Sequence, residues 1–145
     1  MNRKKILIVD DDPVILRSLG IKLNARGYDV ITASDGSQAV STVRTQPPDL
    51  ILLDLTFPPD VAHGGGVGWD GFLIMAWLRR MEEAANIPII VITGGDPAEY
   101  EEKVKKIGAA AFFHKPIDHE RLLETIHAVL KPEETAAAEP ALATA

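Results

Sequence analysis

Cysteine is absent from the 145 residues, which excludes disulfides, thiolate nucleophiles and Cys-ligated metal, and nothing asks for an oxidising compartment. No apolar run reaches the roughly 18 residues of a membrane span. Met1-Asn2-Arg3-Lys4-Lys5 leads into too short an apolar stretch for a signal peptide. No membrane insertion and a cytoplasmic location are therefore expected. Cations are in the minority, 15 Lys and Arg against 21 Asp and Glu, and the net charge of −6 speaks against a nucleic-acid partner. His63, His114, His119 and His127 share no metal-ligand spacing. The Gly-rich tract Gly64-Gly65-Gly66 neither follows a strand directly nor carries the Lys-Ser/Thr ending of a P-loop, so it gives no ground for nucleotide binding.

Against these absences stands an ordinary 46% of hydrophobic residues, enough for one self-sufficient domain. Five short apolar runs punctuate the chain. Lys5 to Val9 stops at Asp10, Asp11 and Asp12; Tyr28 to Ala33 follows a helix stripe of Ile15, Leu16, Leu19 and Leu23 that ends near Gly27. Asp49 to Leu55 presents Asp54, Ile87 to Thr93 ends in Thr93-Gly94-Gly95, and Ala109 to Phe113 delivers His114-Lys115-Pro116. Such runs read as strands buried on both faces of a parallel sheet, although periodicity alone admits a buried helix.

Helical patterns fill the intervals. Pro13 after Asp12 marks a helix start with Asp12 as N-cap. A second helix opens at Gly36-Ser37, and a third begins near Gly71 with Leu73, Ile74, Trp77, Leu78 and Met81 on its buried side. Asp96-Pro97 repeats the capped start for a fourth that ends at Gly108, and Asp118 caps a last helix through Leu122, Leu123, Ile126 and Leu130. From residue 132 to Ala145 no apolar face is visible, which predicts a folded unit over 1–131 and a mobile Ala/Glu/Pro tail. Strands alternating with helices give an α/β fold whose parallel sheet is covered on both faces.

In such sheets ligands bind at the carboxyl ends of the strands. Asp10 to Asp12, Asp54, Thr93 and Lys115 stand there, from four different strands. Converging carboxylates repel unless a cation joins them, and an acidic pocket without Cys or paired His suits Mg²⁺. An ionised Asp54 can attack phosphorus and form an acyl phosphate. Lys115 would neutralise the phosphoryl oxygens, Thr93 would donate a hydrogen bond to them, and Gly94 leaves room for the group.

The acidic cluster after the first strand, the isolated Asp ending the third, Thr-Gly ending the fourth and Lys-Pro after the fifth occur here in that order. With these motifs the chain, from about Lys4 to Leu130, resembles the receiver domain of two-component response regulators, of the stand-alone, single-domain type. The resemblance implies a flavodoxin-like (βα)5 doubly wound sheet of strand order 2-1-3-4-5. It implies that Asp54 accepts a phosphoryl group from a phosphohistidine on a sensor histidine kinase or histidine phosphotransfer protein. Asp10 and Asp11 align with the acidic pair that holds Mg²⁺, Asp11 directly and Asp10 mostly through water, with the Thr56 carbonyl as a further ligand beside Asp54. Thr93 and Lys115 align with the switch hydroxyl and the phosphate-binding lysine, and Phe112 with the aromatic whose rotamer follows Thr93. A cis bond before Pro116 is also implied. Such a protein is no conventional enzyme, since it phosphorylates and dephosphorylates only itself, and it acts on a downstream target protein as a monomer or weak dimer.

One departure from the family pattern is plain. Asp70-Gly71 arrives late after Asp54, so that about residues 59–69 form an insertion beside the site, either an idle loop or a lid or partner contact in which His63 and Trp69 touch a docked partner or the phosphoryl group. Two other readings remain open on the residues alone: a phosphorylation-independent interaction module on the same fold, and a phosphohydrolase acting through an aspartyl phosphate. Hydrolases of the haloacid dehalogenase type usually carry a second Asp where this chain has Thr56.

Overall fold

The computed structural model describes residues 4–54, 71–82, 84–93, 102, 105, 106, 108–115 and 117–130, and the side chains of residues 71–73 and 93 lie outside that description. The regular elements run β1 (Lys5–Val9), α1 (Pro13–Ala25), β2 (Asp29–Ala33), α2 (Gly36–Thr45), β3 (Leu50–Asp54), α3 (Gly71–Arg80), β4 (Ile89–Thr93), β5 (Ala111–His114) and α4 (His119–Leu130). Of the helix expected between Asp96 and Gly108, the described residues Glu102, Lys105 and Lys106 are helical. The insertion at 59–69, Thr56, the bond before Pro116 and the tail from residue 132 fall outside the described residues.

All five strands are parallel, in the order β2-β1-β3-β4-β5. The runs that carry them are nearly all apolar, yet the alternation of a strand still sorts their side chains. Leu7, Val9, Ile51, Leu53, Ile89 and Val91 meet α2 and α3 through Ala39, Val43, Ile74, Met75 and Leu78. Ile6, Ile8, Leu50, Leu52, Ile90 and Ile92 meet α1 and α4 through Leu19, Leu23, Leu122, Leu123 and Ile126. Each of these strand residues thus has an apolar partner on one face or the other, and this makes the hydrophobicity of the runs a requirement of the fold.

Local chemistry sets the helix starts. Asp12 accepts a hydrogen bond from Val14 N (2.9 Å) just before Pro13, and Asp35 accepts one from Gln38 N (2.8 Å). Asp118 accepts from Glu120 N and Arg121 N at the head of α4. Helix α1 ends as expected: Gly27 has φ +94°, its N–H reaches Asn24 O, and that of Tyr28 reaches Leu23 O. A Cβ on Gly27 would meet nothing within 4 Å, so Gly27→Ala tests backbone strain alone. It should lower stability by about 1 kcal/mol, read from urea unfolding.

Three expectations are corrected. Trp77 is not buried but 43% exposed, while Ile74, Met75, Leu78 and Met81 face inward. At 3.6 residues per turn Trp77 lies roughly a quarter turn from the centre of that stripe, so it sits on the margin beside Val40 and Arg44 of α2. The fourth strand begins at Ile89 rather than Ile87, because Pro88 has no N–H to give the ladder and offers only its carbonyl, to Ile51 N (3.0 Å). The fifth spans Ala111–His114 rather than Ala109 to Phe113: Gly108 turns the chain at φ +96°, and the bond from Ala110 N to Ile89 O (2.8 Å) is the lead-in to pairing.

Candidate functional site

The carboxyl edge of the sheet gathers the residues that close the apolar runs. Asp10 continues β1 for one residue, with its N–H bonded to Ala33 O (3.1 Å) at the end of β2. Asp54 is the last residue of β3 and pairs in register with Ile92, so Thr93 follows directly on the neighbouring strand. Lys115 follows the last residue of β5, His114, which pairs with Thr93. Parallel strands of nearly equal length therefore bring their terminal residues to one place, with no help from the loops.

Asp54 is where the sequence places it, at the strand end, but it is buried there rather than open to the crevice: Asp10 and Asp54 are each 3% exposed. Burial of a carboxylate is costly unless it is paired. The Lys115 ammonium answers the charge on Asp54, with Nζ 3.0 Å from Oδ2. Asp10 accepts a hydrogen bond from Asp12 N on Oδ1 (2.9 Å). Its carboxyl is nevertheless pushed up from the ordinary 3.8 to about 7, mainly by burial, against the lowering effect of the Asp12 N–H, and further by the charge of and hydrogen bond to Asp54. Asp11 is exposed.

One carboxylate oxygen from each of Asp10, Asp11 and Asp54 lies within 4.8 Å of the others. Opposite ligands of an octahedral Mg²⁺ at 2.0–2.1 Å stand roughly 4.2 Å apart, so this cluster fits a hard divalent ion with slight closure or with water completing the shell. Burial first and the neighbouring Asp54 second disfavour the ionised Asp10 carboxyl, and a cation would offset both. Thr56, the further expected ligand, lies outside the described residues, and of Thr93 only the backbone is placed. Phe112 is half-buried in β5, pairs with Val91 and packs against the α2–α3 core.

The sequence reading passed over the flank of this site. A cleft of about 280 Å³ lined by Val14, Ile15, Ser18, Leu19, Lys115, Ile117 and His119 opens beside Lys115. Val14, in the first turn of α1, is 71% exposed. Its signal was present: an apolar residue directly after an Asp-Pro helix start, outside the stripe that Leu19 and Leu23 bury.

A family model described as the response regulator receiver domain matches residues 6–127. The chain is 35% identical over 126 residues to the protein PilH of Pseudomonas aeruginosa, covering 87% of this chain and 97% of that one. It is 32% identical over 127 residues to the polar-differentiation response regulator DivK of Brucella ovis, covering 88% and 96%. The solved structure of the Vibrio cholerae chemotaxis protein CheY4 superposes with a TM-score of 0.77 at 29% identity, over 89% of this chain and all of that one. On fold, strand-end acids and these similarities together, the chain belongs to the response regulator receiver domain family.

Proposed function

We propose that the chain is a phosphorelay receiver that takes a phosphoryl group onto Asp54 from a phosphohistidine of a sensor histidine kinase or a histidine phosphotransfer protein. The observation that carries this reading is the convergence of Asp10, Asp11, Asp54 and Lys115 at one sheet edge, three carboxylates and one ammonium. In the transfer a carboxylate oxygen of Asp54 forms the new O–P bond as the N–P bond of the donor breaks, and the imidazole keeps the electron pair. Asp54 is held for this by its strand on one side and by Lys115 on the other. Lys115 then shifts its contact from the carboxylate to the phosphoryl oxygens, where charge accumulates.

Asp10 and Asp11, with Asp54 and the Thr56 carbonyl, would hold Mg²⁺, which would supply charge neutralisation to the same oxygens. The apolar cleft beside Lys115, with the exposed Val14 at its rim, offers the donor a seat next to the acceptor. Thr93 and Phe112 would serve as the switch: a phosphoryl group that contacts Thr93 and Lys115 in only one of two packings shifts the population toward it, and a target protein reads the change. The chain acts on itself rather than turning over a free substrate, in the cytoplasm, as a monomer or weak dimer.

The test is direct. Incubated with acetyl phosphate, the wild-type protein should gain the mass of one phosphoryl group in the presence of Mg²⁺ and none in EDTA. Absence of the gain with Mg²⁺ would sink the reading.

A further inference from the structure

Arg79, in the last turn of α3, ties two distant stretches of chain together. Its Nη1 donates to Ala84 O (3.3 Å), Ala85 O (3.3 Å) and Ile87 O (3.0 Å), all in the connection from α3 to β4. Its Nη2 donates to Gly108 O (3.1 Å), in the left-handed turn that opens the approach to β5. A planar guanidinium suits this work: its five N–H donors spread in a fixed fork, whereas an ammonium offers a single point. Carbonyls at helix ends and turns are short of partners within their own element, and here one side chain serves four of them, Ala84 O also accepting from Ile87 N (3.1 Å).

The position of this tie in the fold gives it a consequence at the site. β5 is the edge strand of the described sheet, bonded among the described residues only to β4, over four paired residues. Its far end carries Lys115. The Asp54–Lys115 pair joins β3 to the end of β5 at the carboxyl edge, and Arg79–Gly108 joins α3 to the turn before β5 at the opposite edge. From Ala111 to Lys115 the chain extends over roughly 13 Å at about 3.3 Å per residue. A tilt of about 4° at its base moves the far end by roughly 1 Å, and a misplacement of that size can cost on the order of 100-fold in rate.

We propose that Arg79 is a positioning residue, which fixes the base of β5 against α3 and thereby holds Lys115 at hydrogen-bonding distance from Asp54. The rate effect it predicts rests on Asp54 being the phosphoryl acceptor; the effect on the Lys115 ammonium does not.

The experiment uses the full chain with Arg79→Lys, which keeps the charge and loses the fork, and Arg79→Gln, which loses both. Three quantities are read at a temperature where each variant is folded by circular dichroism: the rate of phosphorylation by acetyl phosphate, the Mg²⁺ affinity, and the side-chain ¹H–¹⁵N signal of Lys115, assigned by its loss in Lys115→Arg. The expected result is a rate lowered by about 5- to 50-fold and a Lys115 signal shifted or broadened by faster exchange with water. Mg²⁺ affinity should stay within about twofold, since Asp10 and Asp11 hang from β1. Variants that melt at lower temperature yet keep the wild-type Lys115 signal would overturn the proposal and leave Arg79 a stabilising side chain only. If wild type takes up no phosphate, the acceptor reading fails, and the Lys115 signal still decides the role of Arg79.

Discussion

Asp54→Asn should take up no phosphoryl group at all under conditions in which the wild-type protein is fully modified. The substitution keeps shape and replaces one carboxylate oxygen by an amide nitrogen, so the fold persists while the nucleophile is lost. Loss should be total rather than partial because neither neighbour can replace it. Asp10 is buried with one oxygen engaged by the Asp12 N–H, and Asp11 is exposed and without a contact to Lys115 among the described hydrogen bonds. A second consequence can be read without any phosphodonor. The charge of Asp54 and its hydrogen bond are two of the causes that raise the Asp10 carboxyl, so in Asp54→Asn that carboxyl should titrate below about 7. It should not return to 3.8, because burial, the largest cause, is unchanged. Carboxyl ¹³C shifts followed over pH give both midpoints. Phosphate retained on Asp54→Asn would move the acceptor to another residue, and an unmoved Asp10 midpoint would mean that the two carboxylates do not interact.

The sequence made some parts of this molecule legible and hid others, for identifiable reasons. Asp10, Asp54 and Lys115 stood out because each ends an apolar run, and a parallel sheet converts the end of a run into a place. The caps at Asp12 and Asp118 and the left-handed turn at Gly27 were legible because they depend on one or two neighbouring residues. Trp77 was misplaced because a stripe at helical spacing has margins, and which margin is covered depends on how α3 leans on α2. The starts of β4 and β5 were set by Pro88 and Gly108 in competition with apolar neighbours that looked equally strand-like. Arg79 left no trace in the pattern at all. Its partners are backbone carbonyls, which every residue possesses, so only the three-dimensional course of the chain tells which four it meets.

The burial of Asp10 beside Asp54 should make the protein in EDTA weaker as pH rises. The Asp10 carboxyl has an ordinary value of 3.8 and stands at about 7 in the fold. Between those values the folded state holds a proton that the unfolded chain has released, so the contribution to stability is complete below pH 4 and is lost as pH climbs through about 7. The full difference amounts to on the order of 2–4 kcal/mol, a large share of the marginal stability of a domain this size. Urea unfolding in EDTA should therefore give a lower free energy at pH 8 than at pH 5.5, where ordinary carboxylates have already ionised. Asp10→Asn, which cannot ionise, should lack most of that slope and be the more stable protein at pH 8. Mg²⁺ should reverse the trend, since a cation favours the ionised form and at about 100 times its dissociation constant adds about 2.7 kcal/mol. That gain should be large at pH 8 and small at pH 5.5, where binding must first expel the Asp10 proton. A wild-type stability in EDTA that is flat or rising over this range, or an equal Mg²⁺ gain at both values, would show that the acidic cluster is relieved in some other way. The stability that the ionised Asp10 would cost in the absence of cation is thus the thermodynamic counterpart of the affinity that the proposed site would have for one.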